Sequence, residues 1–303
     1  MASYQPQFAI TNHMVKLVSE IAEKIGRLDR YQSLDAKPCL RRNNRIRSIH
    51  SSLAIEANSL SIDAVRGVID GKTVVGPVKE IQEVKNAYRA YDELGKFDPF
   101  SIDEPKRLHG VMTYLTVDES GQFRRGEEGV FDGGRCIFMA PPAMHVSALM
   151  DDLFSWMKQA RKDVHPLILS SVFHYEFVFI HPFADGNGRM ARLWQTSLLC
   201  EWNRVFQYMP IESRIHAFQS EYYEAISKCH NEGSANSFID SCWRRSVKHW
   251  ICIYSNQAQQ THRSANMSGD CSMLWNPALY PKPQKLSVRI LKRSLSDERS
   301  QRL

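Results

Sequence analysis

The sequence predicts an all-α fold carrying one small β-hairpin. Three observations point there. Apolar residues recur at three- and four-residue spacing through a series of segments between residues 11 and 254. Residues 167–180 are apolar nearly all round, the pattern of a helix buried on every side. Residues 130–139 differ in texture: Val130-Phe131, then Asp132-Gly133-Gly134, then Arg135-Cys136-Ile137-Phe138-Met139 read as two strands closed by a glycine turn.

Composition narrows the class. The chain has 303 residues, 43% hydrophobic and 24% charged, ordinary for a globular protein with a large core and about two domains. No apolar run approaches the ~20 residues of a membrane helix, so no membrane is expected. The first residues, Met1-Ala2-Ser3-Tyr4-Gln5, lack a basic stretch followed by an apolar one, so no signal peptide is expected. Seven cysteines, irregularly spaced and without Cys-x-x-Cys, suit a reducing compartment, and a cytoplasmic location is expected. The net charge of +6 permits an acidic partner without requiring nucleic acid.

In chain order, residues 11–28 read as an amphipathic helix with Met14, Val15, Val18, Ile21, Ala22 and Ile25 on one stripe, capped by Thr11 or Asn12. Residues 40–57 read as a second helix, with Ile46, Ile49, Leu53 and Ala54 inward. Its basic half, Arg41, Arg42, Arg45 and Arg47, is expected to be a solvated face, since no aromatics are interleaved to stack on bases. At its end Ser52 and Glu56 are four apart and share a face, and Asn58 can take the left-handed conformation that closes a helix. A short helix follows over 64–69, and then a clear one over 79–94, with Glu83, Lys85 and Arg89 on its exposed side. Helices over 102–114 and 145–159 flank the hairpin. His174 and Glu176 in the apolar helix are read as satisfied polar groups rather than metal ligands. Residues 203–210 read as a connector, 217–230 as a helix with Tyr222 and Tyr223, and 237–254 as a last helix. Residues 255–270 look like a polar linker. Residues 282–303 carry seven Lys or Arg against two acids and read as partly disordered.

The stretch around which the chain is organised is His181-Pro182-Phe183-Ala184-Asp185-Gly186-Asn187-Gly188-Arg189-Met190-Ala191-Arg192. Pro182 ends the apolar helix, because the residue before a proline is pushed out of the α region. Gly186-Asn187-Gly188 permits a sharp turn that runs into the N-terminus of the next helix, where free amides and the dipole favour an anion. Arg189 and Arg192 lie three apart on its first turn. His181 can accept a proton near neutral pH, and Asp185 is a hard oxygen ligand suited to Mg²⁺ bridging phosphates. The loop therefore holds a base, a metal ligand, an amide cradle and two phosphate-binding cations.

At every fixed position these twelve residues resemble the signature of the Fic family, whose members mostly move AMP from ATP to a hydroxyl side chain of a target protein. The resemblance implies a Fic helical core with a small β-hairpin flap and an N-terminal helical extension. It implies that His181 is the general base and Asp185 the Mg²⁺ ligand. It further implies that Gly186, Asn187 and Gly188 cradle the anion and that Arg189 and Arg192 hold the β- and γ-phosphates. Tyr222 and Tyr223 resemble tyrosines that line the nucleotide pocket. Ser52-Leu53-Ala54-Ile55-Glu56 resembles the inhibitory motif of the class whose inhibitory helix precedes the core, with Ala57 where members often have Gly. Glu56 would then occupy Arg192. The hairpin, residues 128–139, would grip a target segment by strand addition, and a homodimer is left open. The implied division is an N-terminal helical region, 1–95, with its inhibitory helix at 40–58, a core, 96–254, and the linker and tail, 255–303. Two further readings remain at this point: a hydrolase that removes AMP, with Glu56 directing a water, and a binding module whose enzymatic site is idle.

Overall fold

The longest apolar run forms the axis of the molecule. In a computed structural model, which describes residues 4–29, 38–132 and 135–244, this run is the helix Pro166–Ile180. Pro166 occupies its first turn, and His165 Nδ1 accepts from the Leu167 N–H at 3.2 Å. The helix faces two apolar clusters. Ile168, Val172 and Tyr175 belong to one, and Leu169, Phe173, Phe177 and Ile180 to the other.

In chain order the described α-helices are α1 (Asn12–Asp29), α2 (Pro38–Ile55), α3 (Ile62–Ile69), α4 (Val78–Asp92), α5 (Glu104–Met112), α6 (Val146–Ala160), α7 (Pro166–Ile180), α8 (Asn187–Trp202), α9 (Ile211–Ala217), α10 (Gln219–Glu232) and α11 (Asn236–Arg244). Strands β1 (Gly129–Asp132) and β2 (Arg135–Met139) pair antiparallel between α5 and α6, with a register shift at Val130/Phe131. The expected glycine turn, 133–134, the end of the last expected helix, and the expected linker and tail lie outside the described residues. No helix among those described is long and apolar enough to cross a membrane.

Helix α8 packs along α7. Trp194 fills the space between them and α6, with its ring beside Phe173 and Phe154 and its Nε1 donating to Pro99 O at 2.9 Å. Helix α2 is fastened to this core by polar bonds. Glu212, at the start of α9, is fully buried. It accepts from Ser48 Oγ of α2 at 2.7 Å, Tyr91 OH of α4 at 2.8 Å and Thr196 Oγ1 of α8 at 3.1 Å. Asn44 donates to Tyr208 O at 2.8 Å, and Gln219 donates to Ile55 O at 3.1 Å.

Several expectations are corrected. In α1 the buried stripe is Met14, Leu17, Ile21 and Ile25, while Val15 is 52% exposed; Thr11 supplies the cap, accepting from Met14 N–H. On the basic half of α2, Arg42 is exposed and pairs with Asp70, and the half-buried Arg45 pairs with Asp92, so the surface charge there is locally neutralised. Residues 211–217 form α9, too short for a periodic signal. The left-handed residue that closes α2 is Ala57, φ 66°, and not Asn58; the Asn58 N–H then reaches Leu53 O at 3.1 Å. Glu83 does not decorate an exposed face: its side chain is 14% exposed and points to Arg189.

Candidate functional site

Helix α7 ends at His181, which adopts the left-handed conformation, φ 52° and ψ 59°. That conformation is uncommon for a residue with a Cβ and persists only where the surroundings impose it. Here the His181 N–H donates to Phe177 O at 3.0 Å, and its carbonyl accepts from Arg124 Nε at 2.7 Å. The side-chain Nδ1 lies 3.2 Å from Val178 O. A carbonyl can only accept, so this contact assigns the proton to Nδ1 and the lone pair to Nε2.

From the sequence, Gly121-Gln122-Phe123-Arg124 reads only as a stretch resembling the residues that flank the hairpin, with no role for Arg124. It is buried and donates to four carbonyls: His181, Ile180, Gly126 and Pro141. One guanidinium thus joins the C-terminal end of α7 to both sides of the hairpin's base. Farther along the hairpin, Phe138 stacks on His230 of α10 at 3.9 Å. Burial, and then the nearby His181, lower the pKa of His230 to about 4.

The loop between α7 and α8 is closed by its own side chains. Asn187 Oδ1 accepts from Phe183 N–H at 2.9 Å, and its Nδ2 donates to Phe183 O at 2.6 Å. Gly186 sits at φ 84° ahead of α8, and its N–H donates to Asp185 Oδ1 at 2.6 Å. His109 of α5, also missed from sequence, supports the loop from beneath. Its ring stacks on Phe183 at 3.7 Å, its Nδ1 accepts from Gly121 N–H at 2.9 Å, and its Nε2 donates to Asp185 O at 2.9 Å. Burial above all holds His109 neutral, with a pKa of about 4.

The first turn of α8 presents backbone N–H groups with no carbonyl inside the helix to accept them. Arg189 rises from this turn and Arg192 from the next, because α8 begins at Asn187, earlier than the sequence suggested; they are 3% and 1% exposed. Arg192 donates from Nε to Ser52 Oγ at 3.0 Å and from Nη2 to Ser52 O at 3.0 Å and Glu56 Oε1 at 2.9 Å. Burial works against its charge, but Glu56 outweighs that and keeps the guanidinium firmly protonated. The Glu56 carboxylate lies directly over Gly188: a Cβ there would overlap Oε1 and come within 3.0 Å of Arg192 Nη1. An anion thus already sits on this helix N-terminus. Arg189 Nη2 lies 3.4 Å from Asp185 Oδ1.

The structure brings together His181, Asp185, the Gly186-Asn187-Gly188 turn, Arg189, Arg192, Ser52 and Glu56. Tyr222 is set deeper. Its hydroxyl lies 2.9 Å from His174 Nε2, whose Nδ1 is 2.6 Å from Gln195 Oε1. Tyr223 packs edge-on against Tyr222 and partly covers it. Burial chiefly raises the pKa of both hydroxyls, Tyr223 to about 12. Glu176 accepts from Tyr4 OH at 2.5 Å, so His174 and Glu176 of α7 are both satisfied. One carboxylate at the loop, partly open to solvent, suits Mg²⁺ held jointly with substrate phosphates and not by a cage of protein ligands.

Comparison with known proteins gives a consistent result. The model of the Fic/DOC family matches residues 99–199. A Fic family protein from Desulfovibrio desulfuricans G20, known from a crystal structure, is 40% identical. The match covers 88% of this chain and 79% of that one, with a TM-score of 0.75. Fic-1 from C. elegans is 21% identical with a TM-score of 0.65, over 82% of this chain and 74% of that one, a likeness of fold. Proteins called protein adenylyltransferase Fic from Aedes aegypti and Culex quinquefasciatus are 28% and 27% identical, over 64% and 79% of this chain. The chain spans 38% and 48% of their lengths, less than half.

Proposed function

Since the chain belongs to the Fic family, we propose that it transfers AMP from ATP to a hydroxyl side chain of a target protein and that Glu56 restrains it. The observation that carries this reading is the contact of Glu56 Oε1 with Arg192 Nη2 at 2.9 Å, over the helix N-terminus that would receive the phosphates.

The chemistry follows from the residues. His181 Nε2 takes the proton of the target hydroxyl as its oxygen attacks the α-phosphorus. The bond from that phosphorus to the bridging oxygen breaks, and pyrophosphate leaves. Arg189, Arg192 and the amides of residues 186–188 hold the β- and γ-phosphates and stabilise the developing charge. Asp185 would hold Mg²⁺, which neutralises phosphate charge when bound. Tyr222 and Tyr223 would border the nucleotide beyond Arg192. The hairpin at residues 128–139, fixed at its base by Arg124 and at Phe138 by His230, offers strand edges on which a target segment could lie. As long as Glu56 holds Arg192, the γ-phosphate lacks one of its holders and the α-phosphate is not brought in line.

The test is labelling with radioactive ATP and Mg²⁺ in wild type, Glu56→Gly and Glu56→Gly/His181→Ala. Glu56→Gly should label far more strongly than wild type, and adding His181→Ala should lower labelling by ~10²–10⁴. Equal labelling in wild type and Glu56→Gly would remove the restraint from the proposal. No labelling in any of them, with release of AMP from a modified protein by wild type, would turn the reading to a hydrolase in which Glu56 directs a water.

A further inference from the structure

The two arginines at the start of α8 are both nearly sealed from water, and each is met by an acid from the chain before the hairpin. Glu56 meets Arg192. Glu83, projecting from α4, places Oε1 3.6 Å from Arg189 Nη1. Its other oxygen accepts from Asn58 Nδ2 at 2.9 Å, two residues beyond Glu56. Arg189 is not fully served by this arrangement, because its Nε is buried and has no hydrogen-bond partner among the described residues. A guanidinium carries donors only, so a buried one short of an acceptor is prepared for further oxygen atoms.

We propose that Glu83 is a second carboxylate guard of the site: it offsets the charge of Arg189 across 3.6 Å, where Glu56 holds Arg192 by a direct hydrogen bond, and so competes with a phosphate oxygen for that guanidinium. The proposal rests on the reading of the site as one for a triphosphate. A resting cation buried to this degree needs counter-charge; Asp185 supplies part of it at 3.4 Å from Nη2, and Glu83 supplies the rest from the neighbouring helix at Nη1. An incoming phosphate competes with Glu83 for the same guanidinium. Removing Glu56 therefore frees one arginine and leaves the other still opposed. Replacement of Glu83 by Gln removes the charge and keeps an amide oxygen to accept from Asn58, so the end of α2 stays fastened.

Isothermal calorimetry with inorganic tripolyphosphate and, separately, adenosine, in the presence of Mg²⁺, tests this in Glu56→Gly, Glu56→Gly/Glu83→Gln and Glu56→Gly/Asn58→Ala. Glu83→Gln should tighten tripolyphosphate binding about fivefold and leave adenosine unchanged, the gain of one relieved, partly buried ion pair. Asn58→Ala should change neither. Glu83→Asp, which draws the carboxylate back by one methylene, should tighten binding in the same direction by less, and it serves if the Gln variant melts early. Tripolyphosphate binding that Glu83→Gln leaves unchanged or weakens overturns the role of Glu83 alone. Equal tightening by Asn58→Ala also overturns it, because a loosened helix end would then be the cause. Failure of Glu56→Gly to bind tripolyphosphate at all overturns the triphosphate reading together with this proposal.

Discussion

The carboxylate of Glu56 lies where a side chain on residue 188 would have to be. Gly188 is open to a Cβ only if Glu56 Oε1 leaves, and that oxygen is the end of a flexible side chain. Gly188→Ala should therefore fold, expel the carboxylate from Arg192, and lose roughly 1 kcal/mol of stability, the scale of an ordinary single substitution. Labelling should not rise as it does in Glu56→Gly, because the added methyl fills the volume a phosphate would take. Melting and labelling of the two variants side by side check this. A Gly188→Ala protein as active as Glu56→Gly would mean that phosphate does not approach residue 188.

Ala57 carries backbone strain that a glycine would not. At φ 66° its Cβ crowds the following carbonyl, at roughly 1–2 kcal/mol, while Gly loses about 0.5–1 kcal/mol more chain entropy on folding. Ala57→Gly should raise stability by about 0.5–1 kcal/mol in urea unfolding. Ala57→Val should lower it. If Ala57→Gly is the less stable protein, the end of α2 is not held in the left-handed conformation in solution.

Arg124→Lys should disable the site without emptying it. Lysine keeps the charge but cannot reach four carbonyls with one planar fork. In a Glu56→Gly background, labelling should fall by at least ~10-fold through misplacement of His181, with tripolyphosphate affinity within about twofold. Affinity falling in step with labelling would show general collapse of the loop.

Acid should weaken the fold. His109 and His174 are neutral when folded, at about 4 and about 3, against 6.5 when exposed. Between those values the unfolded chain binds more protons, so stability is complete above the exposed value and falls as pH drops through it toward the folded one. At about pH 5 the two should together cost roughly 4 kcal/mol, seen as a lower melting temperature than at about pH 7.5. His230, lowered to about 4, adds to this loss, and Glu176, raised to about 7 by burial, offsets part of it; a melting temperature unchanged in a Glu176→Gln protein would mean that the rings reach solvent.

The loop at 181–192 was legible because its histidine, carboxylate, glycines and arginines follow one another within twelve residues. The long helices were legible from apolar spacing, α7 above all. His109, Arg124 and Glu83 were not, because each acts on a group far along the chain: His109 on Asp185 O, Arg124 on His181 O, Glu83 on Arg189. Nothing local marks a histidine whose burial keeps it neutral or an arginine whose partners are carbonyls. Glu83 read as a surface residue because α4's periodicity shows which face is apolar, and not that the rim of that face abuts α8. Asn58 looked like the natural left-handed residue by propensity, but the bond from its N–H to Leu53 O requires the turn one residue earlier, at Ala57.

Glu212 has a kinetic consequence. By joining Ser48, Tyr91 and Thr196 in one buried knot, it makes α2 part of the scaffold and denies it the freedom of a detachable arm. Unbinding the whole helix would break this knot, whereas swinging the Glu56 side chain would not. The proposed restraint by Glu56 would then be set by the rotamer population of one carboxylate. Side-chain rotation takes nanoseconds where helix detachment takes microseconds or longer. A protein restrained in the proposed way would idle with a small steady leak, and a partner that tilted the rotamer balance by one factor of ten would change its output by about the same factor, gradually and without a threshold.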